Sequence, residues 1–150
     1  MRNSVYNIAI LGCGKVAHLH ASAIQNLPNA RLAGVWSRTQ QTANGFACQY
    51  KVPAYTDVAE LIKKEKIDLA VVCTPHPFHL EPAQQAALQG ANILVEKPLA
   101  STLEDADKII STCKKAGVKL GVVSQRRWYE PVLRVKKAIE ADREKCSGKS

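Results

Sequence analysis

Short apolar runs alternate with helix-like patterns along the chain, and this order limits the possible folds more than any other feature of the sequence. Runs rich in Val, Leu and Ile predict strands that are buried on both faces. The predicted strands are 6–11, 31–36, 52–55, 68–73, 92–95 and 118–123, and the predicted helices are 15–27, 39–49, 58–64, 79–89, 102–116 and a last segment from Pro131. The run that contains Pro53 is expected at a sheet edge. This alternation predicts an α/β protein, with one doubly wound parallel sheet in a three-layer α/β/α arrangement.

In such a sheet ligands bind at the carboxyl ends of the strands, so the residues after each strand are the candidates for function. The first strand is followed by a G-x-G-x-x-A motif that opens a helix. Its first glycine suits a tight turn, its second lets a pyrophosphate approach the backbone, and Ala17 allows close helix packing. Glycines also occur in plain turns, but a strand before the motif and a helix after it favour a dinucleotide site. We expect the cofactor to contact Gly12, Gly14, Lys15 and Val16.

After the second strand, an NAD-binding protein normally places Asp or Glu against the ribose hydroxyls, whereas this chain has Ser37 and Arg38. A carboxylate there would repel a 2′-phosphate, and a hydroxyl with a guanidinium would hold one. The alternative is that Arg38 is only a solvated loop residue. We expect NADP to be favoured over NAD as the cofactor.

The loop after the strand predicted at 68–73 contains Thr74, Pro75, His76 and His79. Two prolines stiffen this loop, and a rigid loop at a strand end suits a wall against the cofactor ring. For the two histidines, capping or packing is the alternative, and we expect a local structural role for His79 rather than a catalytic one. Metal binding is not expected, because no carboxylate or cysteine lies at ligand spacing nearby.

Glu96, Lys97 and Pro98 directly follow the strand predicted at 92–95, an unusual combination for a simple turn. A lysine in this position could hydrogen-bond a substrate hydroxyl and help its proton leave during hydride transfer. Glu96 would orient the Lys97 ammonium, and Pro98 would fix the turn. Lys97 is therefore the candidate catalytic residue.

The segment after the last predicted strand, residues 124–131, places two arginines beside a tryptophan and a tyrosine, and the chain carries a formal net charge of +8. Basic residues among aromatic ones suit nucleic-acid binding. However, only 5% of the residues are aromatic, and no nucleic-acid-binding motif is present. At a strand end these residues are better interpreted as contacts to a substrate or to a further domain, so no nucleic-acid partner is expected.

The five cysteines are scattered without metal-ligand or redox spacing, which is typical of free thiols in a reducing compartment. No apolar run approaches the roughly 18 residues needed to cross a bilayer. The apolar stretch near the start is interrupted by Tyr6 and Asn7, and it is interpreted as a strand rather than as a signal segment. We expect a cytoplasmic protein with no membrane partner and no bound metal.

Four motifs together resemble those of the Gfo/Idh/MocA oxidoreductases. They are G-x-G-x-x-A near the start, Thr74-Pro75 followed by His79, Glu96-Lys97-Pro98, and Gln125-Arg126-Arg127 with Pro131. The Glu-Lys-Pro sequence is the most specific of them, and the resemblance covers about residues 5–141. It implies an N-terminal Rossmann domain that binds NAD or NADP, in an enzyme that oxidises or reduces a sugar or polyol hydroxyl.

The resemblance also implies roles for individual residues. The lysine that matches Lys97 assists catalysis and cofactor placement in the family, and the cofactor site is expected to include Thr74, Pro75, His79, Glu96, Lys97 and Gln125. In the family a larger α/β domain usually follows, supplies acid/base residues and mediates oligomerisation. The parent enzyme is therefore expected to be a homo-oligomer.

No such second domain is predicted in this sequence. Residues 1–141 are assigned to the dinucleotide-binding domain, and residues 142–150 to a polar tail with no strand character. We expect a truncated enzyme that binds the cofactor without turnover. A non-catalytic NAD(P)-binding regulatory protein is the alternative, although the Glu-Lys-Pro sequence favours the enzyme.

Overall fold

The computed structural model describes residues 5–147, in which strands and helices alternate as predicted. The strands are β1 Tyr6–Leu11, β2 Ala30–Trp36, β3 Ala54–Tyr55, β4 Leu69–Val72, β5 Asn92–Val95 and β6 Leu120–Val122. The helices are α1 Lys15–Gln25, α2 Gln40–Tyr50, α3 Val58–Lys64, α4 Leu80–Leu88, α5 Leu103–Ala116 and α6 Glu130–Ser147. Two short 3₁₀ turns, His76–Phe78 and Gln125–Trp128, precede α4 and α6.

The strands form one parallel sheet in the order β3-β2-β1-β4-β5-β6. Strands β1, β2 and β3 follow one another toward one edge of the sheet, whereas β4 pairs with the opposite side of β1 and continues toward the other edge. The strand order therefore reverses between β1 and β4. At such a reversal a crevice opens beyond the carboxyl ends of the two strands, where ligands bind. The predicted doubly wound Rossmann fold is confirmed, and β3 lies at a sheet edge as expected.

Both faces of the sheet are buried, because successive side chains of a strand point to opposite faces. In β1, Ala9 and Leu11 belong to one apolar cluster, whereas Ile8 and Ile10 belong to the other. Helices α3, α4 and α5 complete the first cluster, and α1 and α2 complete the second. The sheet is thus the middle layer of the three that the sequence predicts.

Side-chain caps hold the starts of α3 and α5. Asp57 Oδ1 accepts the Glu60 N–H at 2.8 Å, and Thr102 Oγ1 accepts the Asp105 N–H at 3.1 Å. Each cap of this kind stabilises a helix by about 1 kcal/mol. The main differences from prediction are a shorter β6, which has a strand neighbour on one side only, and a 3₁₀ turn at His76–Phe78, where a loop was expected before α4.

Helix α6 continues past the boundary predicted at residue 141. Residues 142–147 of the predicted polar tail are helical, and residues 148–150 lie outside the described part of the chain. The side chains of Val132, Val135 and Ile139 are exposed on this helix. Within residues 5–147, no helix combines the length and the apolar character that a bilayer span requires. The division into domain and tail stays a prediction.

The turn between β1 and α1 depends on Gly12, which has a φ of +103°. A Cβ at this position would lie 2.7 Å from the Thr74 nitrogen and 2.9 Å from the Cys73 carbonyl carbon. The turn therefore touches the backbone that follows β4, and no side chain fits between them. Gly14 differs, because nothing lies within 4 Å of the Cβ position that it lacks.

We predict that Gly12→Ala lowers the free energy of unfolding by about 2 kcal/mol or more, because the methyl group adds a clash to an unfavourable φ. Gly14→Ala is the matched control and is expected to change it by less than about 0.5 kcal/mol. Chemical denaturation of the two variants and the unchanged chain measures both values. Equal stability of the two variants would contradict the close packing at Gly12.

Candidate functional site

One cavity of about 550 Å³ opens at the carboxyl ends of β1, β2, β4 and β5. It brings together every residue predicted to contact the cofactor except Gln125. Its walls are formed by Gly12, Cys13, Gly14, Lys15, Val16, Trp36, Ser37, Arg38, Thr39, Thr42, Cys73, Thr74, Pro75, His76, His79, Glu96 and Lys97. Residues up to 85 positions apart thus meet at one edge of the sheet, because all the strands of the sheet run in the same direction.

The middle of the cavity contains the start of α1, which is suited to an anion. Gly14 occupies the N-cap position, no side chain caps the helix, and its first turn contains no acidic residue. The first N–H groups of a helix have no partner within the helix, and the helix dipole is positive at this end. Lys15 adds a positive charge beside them. A phosphate group would satisfy these donors without any further polar side chain.

At the β2 end of the cavity Ser37 is buried, and its N–H donates to the Tyr55 carbonyl at 3.1 Å. The next residue, Arg38, is exposed, and its guanidinium carbon lies 4.6 Å from the centroid of the Phe78 ring. This cation–π contact crosses from the end of β2 to the 3₁₀ turn after β4. No carboxylate occurs in residues 37–42. This end of the cavity is therefore basic.

The loop after β4 is held by hydrogen bonds to its own backbone and to the turn after β5. Thr74 Oγ1 donates to the Phe78 carbonyl at 2.9 Å. His79 is almost completely buried, with Nε2 at 2.8 Å from the Thr74 carbonyl oxygen and Nδ1 at 3.1 Å from that of Pro98. These contacts agree with the local structural role expected for His79, which joins two walls of the cavity.

Glu96 and Lys97 form the β5 end of the cavity. Glu96 Oε1 lies 2.7 Å from Nε2 of His20 on α1, and Glu96 Oε2 accepts the Lys97 main-chain N–H at 3.2 Å. The sequence suggested instead that Glu96 orients the Lys97 ammonium. That expectation was wrong, because the carboxylate is directed to His20 and to the Lys97 backbone. The Lys97 side chain is exposed and forms no ion pair with any described residue.

Gln125 lies outside this cavity and lines a second one of about 300 Å³, together with Val123, Ser124, Arg126 and Lys97. The reason is its position after β6, which is one strand further from the centre of the sheet. Lys97 lines both cavities. Lys97 therefore lies at the boundary between the two cavities.

Two thiols in the cavity wall are kept neutral. Burial raises the pKa of Cys13 to about 11. Burial, followed by the negative charge of Glu96, raises the pKa of Cys73 to about 12. A thiol with such a pKa is a poor nucleophile and a poor metal ligand at neutral pH. Among residues 5–147 no three His, Cys, Asp or Glu side chains form a group that could hold a metal.

Sequence reasoning missed several residues of this site, above all His20 and Phe78. His20 lies in the middle of a helix, and its distance in sequence from Glu96 offers no sign of their contact. Phe78 was passed over as part of the loop around Pro77. Thr39 and Thr42 were the most accessible to prediction, because they lie one and four positions after Arg38, at the start of α2.

Comparison with known proteins identifies the family. The sequence model of the Gfo/Idh/MocA family, described as "Oxidoreductase family, NAD-binding Rossmann fold", matches residues 6–124. A glucose-6-phosphate 3-dehydrogenase from Bacillus subtilis is 32% identical over 88% of this chain and 37% of its own length. An inositol 2-dehydrogenase from Rubrobacter xylanophilus is 28% identical over 88% of this chain and 39% of its own length.

Solved structures of similar proteins have the same fold as this chain. A dehydrogenase from Bordetella pertussis in complex with NADH and UDP-GlcNAcA superposes with a TM-score of 0.85 at 28% identity, over 91% of this chain and 43% of that one. An enzyme from gentamicin A biosynthesis in complex with NAD has a TM-score of 0.84 at 26% identity, over 94% of this chain and 40% of that one.

The chain thus spans about two fifths of the length of these relatives. The match covers the whole sheet and the helices between its strands. The chain therefore belongs to the Gfo/Idh/MocA oxidoreductase family, and it carries the NAD-binding Rossmann fold of that family.

Proposed function

We propose that this chain is the cofactor-binding domain of a dehydrogenase that transfers a hydride between a nicotinamide cofactor and a hydroxyl-bearing carbon of a sugar or polyol. The observation that carries the proposal is the single cavity that joins the uncapped start of α1 to Lys97. The family supports the same reaction class. Both the glucose-6-phosphate and the inositol dehydrogenase act, by their names, on hydroxyl-rich substrates.

The residues present fit a dinucleotide along the length of the cavity. The start of α1, with Gly14 and Lys15, would hold the pyrophosphate, and Ser37 with Arg38 would hold the adenosine ribose. Residues after β4 and β5 would then surround the nicotinamide ring. The ends of β2 and β5 are three strand spacings apart, roughly 14 Å. This separation suits a ligand with an adenosine at one end and a reactive ring at the other.

Lys97 is proposed as the catalytic residue on this domain. A nicotinamide cofactor bound here would supply the hydride chemistry at the substrate carbon. The Lys97 ammonium would donate a hydrogen bond to the oxygen on that carbon and stabilise negative charge on it, while the hydroxyl proton passes to a base on the rest of the enzyme. Without an ion-pair partner among the described residues, the ammonium is available for this contact. Arg126 and Gln125, which line the adjoining second cavity, are proposed to bind the rest of the substrate.

NADP is proposed as the preferred cofactor on the basis of this chain's own residues. The Bordetella pertussis and gentamicin-pathway structures are complexes with NADH and NAD, whereas a similar structure from Desulfitobacterium hafniense is described as a "putative nadph-dependent oxidoreductase". At the ribose end, however, this chain has the Arg38 guanidinium and no carboxylate in residues 37–42. The contact with Phe78 keeps that guanidinium at the cavity. A 2′-phosphate would find a positive charge there in place of the acidic residue that would repel it.

The chain by itself is proposed to bind the cofactor without turnover. The resemblance to the family implies a second domain that usually supplies acid/base residues and often mediates oligomerisation, and this chain spans about two fifths of the length of its relatives. The longer enzyme is proposed to be a homo-oligomer. A cytoplasmic location is proposed because Cys13, Cys48, Cys73 and Cys113 are free thiols.

Calorimetric titration of this chain with NADPH and then with NADH tests the cofactor site. Binding of either is expected for the unchanged chain. Gly14→Ala should weaken binding about tenfold or more, because its methyl group would occupy the open space in front of α1 where the pyrophosphate is proposed to lie. The Gly14→Ala variant should unfold at the same denaturant concentration as the unchanged chain. Unchanged affinity in a folded Gly14→Ala variant would contradict this placement.

The Arg38→Asp variant tests the preference for NADP. The ratio of NADPH affinity to NADH affinity is expected to fall about 10- to 100-fold, because an attractive charge becomes a repulsive one. Arg31→Asp is the matched control, since Arg31 lies at the opposite end of β2, where it donates to Asn7. It makes the same change in net charge and should leave the ratio unaltered. If the ratio of NADPH affinity to NADH affinity fell equally in both variants, net charge alone would explain the effect.

Lys97→Ala tests the catalytic role in a full-length enzyme that contains this domain. We expect kcat to fall about 100-fold or more, because the hydrogen bond to the substrate oxygen is lost. Cofactor affinity should stay within about twofold of the original value. Lys119→Ala, at the amino end of the neighbouring β6, removes an exposed lysine away from both cavities and serves as control. Near-normal kcat in Lys97→Ala would remove this residue from the mechanism.

A further inference from the structure

A partly buried bridge links helix α1 to the turn that carries Lys97. His20 Nε2 lies 2.7 Å from Glu96 Oε1, and the two side chains are only 19% and 17% exposed. Because an ionised carboxylate only accepts hydrogen bonds, Nε2 is the donor. The two residues are 76 positions apart in sequence, so the contact depends entirely on the fold. This bridge has no part in the proposed binding of phosphate or substrate.

The same carboxylate makes a second contact that reaches Lys97. Glu96 Oε2 accepts the main-chain N–H of Lys97 at 3.2 Å. With one oxygen engaged by His20 and the other by the Lys97 backbone, the carboxylate has a single orientation. A half-buried carboxylate that loses one of these donors must turn toward another donor or toward water. The support of the Lys97 backbone would then be lost as well.

We propose that His20 is a positioning residue for Lys97. It fixes the Glu96 carboxylate, and through it the backbone of Lys97, at a set position relative to α1. Helix α1 begins at the proposed pyrophosphate site, so this bridge ties the phosphate end of the cavity to its nicotinamide end. The inference rests on the proposed function and assigns that site a residue that touches neither cofactor nor substrate.

A neighbouring histidine provides a matched control. His18 lies on the same helix, but its Nδ1 contacts the Tyr50 hydroxyl at 2.8 Å and its ring packs against Phe46. The His18→Ala variant therefore removes an α1 side chain that makes no contact with Glu96. A second variant, His20→Gln, retains an N–H donor on a side chain of similar reach. It should therefore preserve the bridge that His20→Ala destroys.

The test compares NADPH with 2′-phospho-ADP-ribose, which lacks the nicotinamide, by calorimetry on this chain and its variants. His20→Ala is expected to weaken NADPH binding about fivefold or more, because it releases the main chain of the turn after β5, which Lys97→Ala leaves held in place. Binding of 2′-phospho-ADP-ribose should change less than about twofold. His20→Gln should retain most of the NADPH affinity of the unchanged chain. His18→Ala should leave the ratio of NADPH affinity to 2′-phospho-ADP-ribose affinity unchanged. Equal weakening of both ligands by His20→Ala, or no change in either, would overturn the proposal.

Hydrogen exchange at the Lys97 amide tests the bridge without any ligand. This amide should exchange faster in His20→Ala than in the unchanged chain or in His18→Ala, because its acceptor is no longer held. An unchanged rate would overturn the proposal. Failure of the proposed function has a different signature, since the unchanged chain would then bind neither ligand, whatever the exchange rate at Lys97.

Discussion

Parallel pairing of β1 with β2 on one side and with β4 on the other decides where every residue of the cofactor cavity lies. Because the strands run in one direction, the segments that follow them all emerge at the same edge of the sheet. The close approach of Gly12 to the backbone of Thr74 then fixes the distance between the first two of these segments. Apolar packing on both faces of β1 holds this arrangement, since Ile10 and Leu11 are fully buried on opposite sides.

The cavity combines two kinds of polar group. The start of α1 and the guanidinium of Arg38 remain open to an anion, whereas His79 and Glu96 are bound to other parts of the protein. The bound groups connect one wall of the cavity to the next. His79 joins the loop after β4 to the turn after β5, and Glu96 joins that turn to α1. The groups that remain open to a ligand therefore lie on segments that hydrogen bonds hold in fixed relative positions. A site needs such rigidity to bind a long ligand in one geometry.

Much of the fold was accessible from the sequence, because local patterns specify it. Buried strands such as β4 are continuous apolar runs, and helices such as α5 carry their own caps at Thr102 and Gly117. The predictions were least accurate where two structures compete locally. One such place is the loop around Pro77, where residues expected to be irregular form a 3₁₀ turn just before the helix. Another is β6, whose length depends on pairing with β5 alone.

The sequence by itself determined the order of the elements, the G-x-G turn and the residues at the strand ends, because each of these depends on neighbours along the chain. Only the tertiary structure decided which of those residues share a cavity and what each is bonded to. Gln125 falls into a separate cavity because β6 lies one strand too far out. Glu96 contacts His20 instead of the Lys97 ammonium because packing of α1 on the sheet brings His20 within 2.7 Å. Contacts of this kind join residues distant in sequence, so no local pattern encodes them.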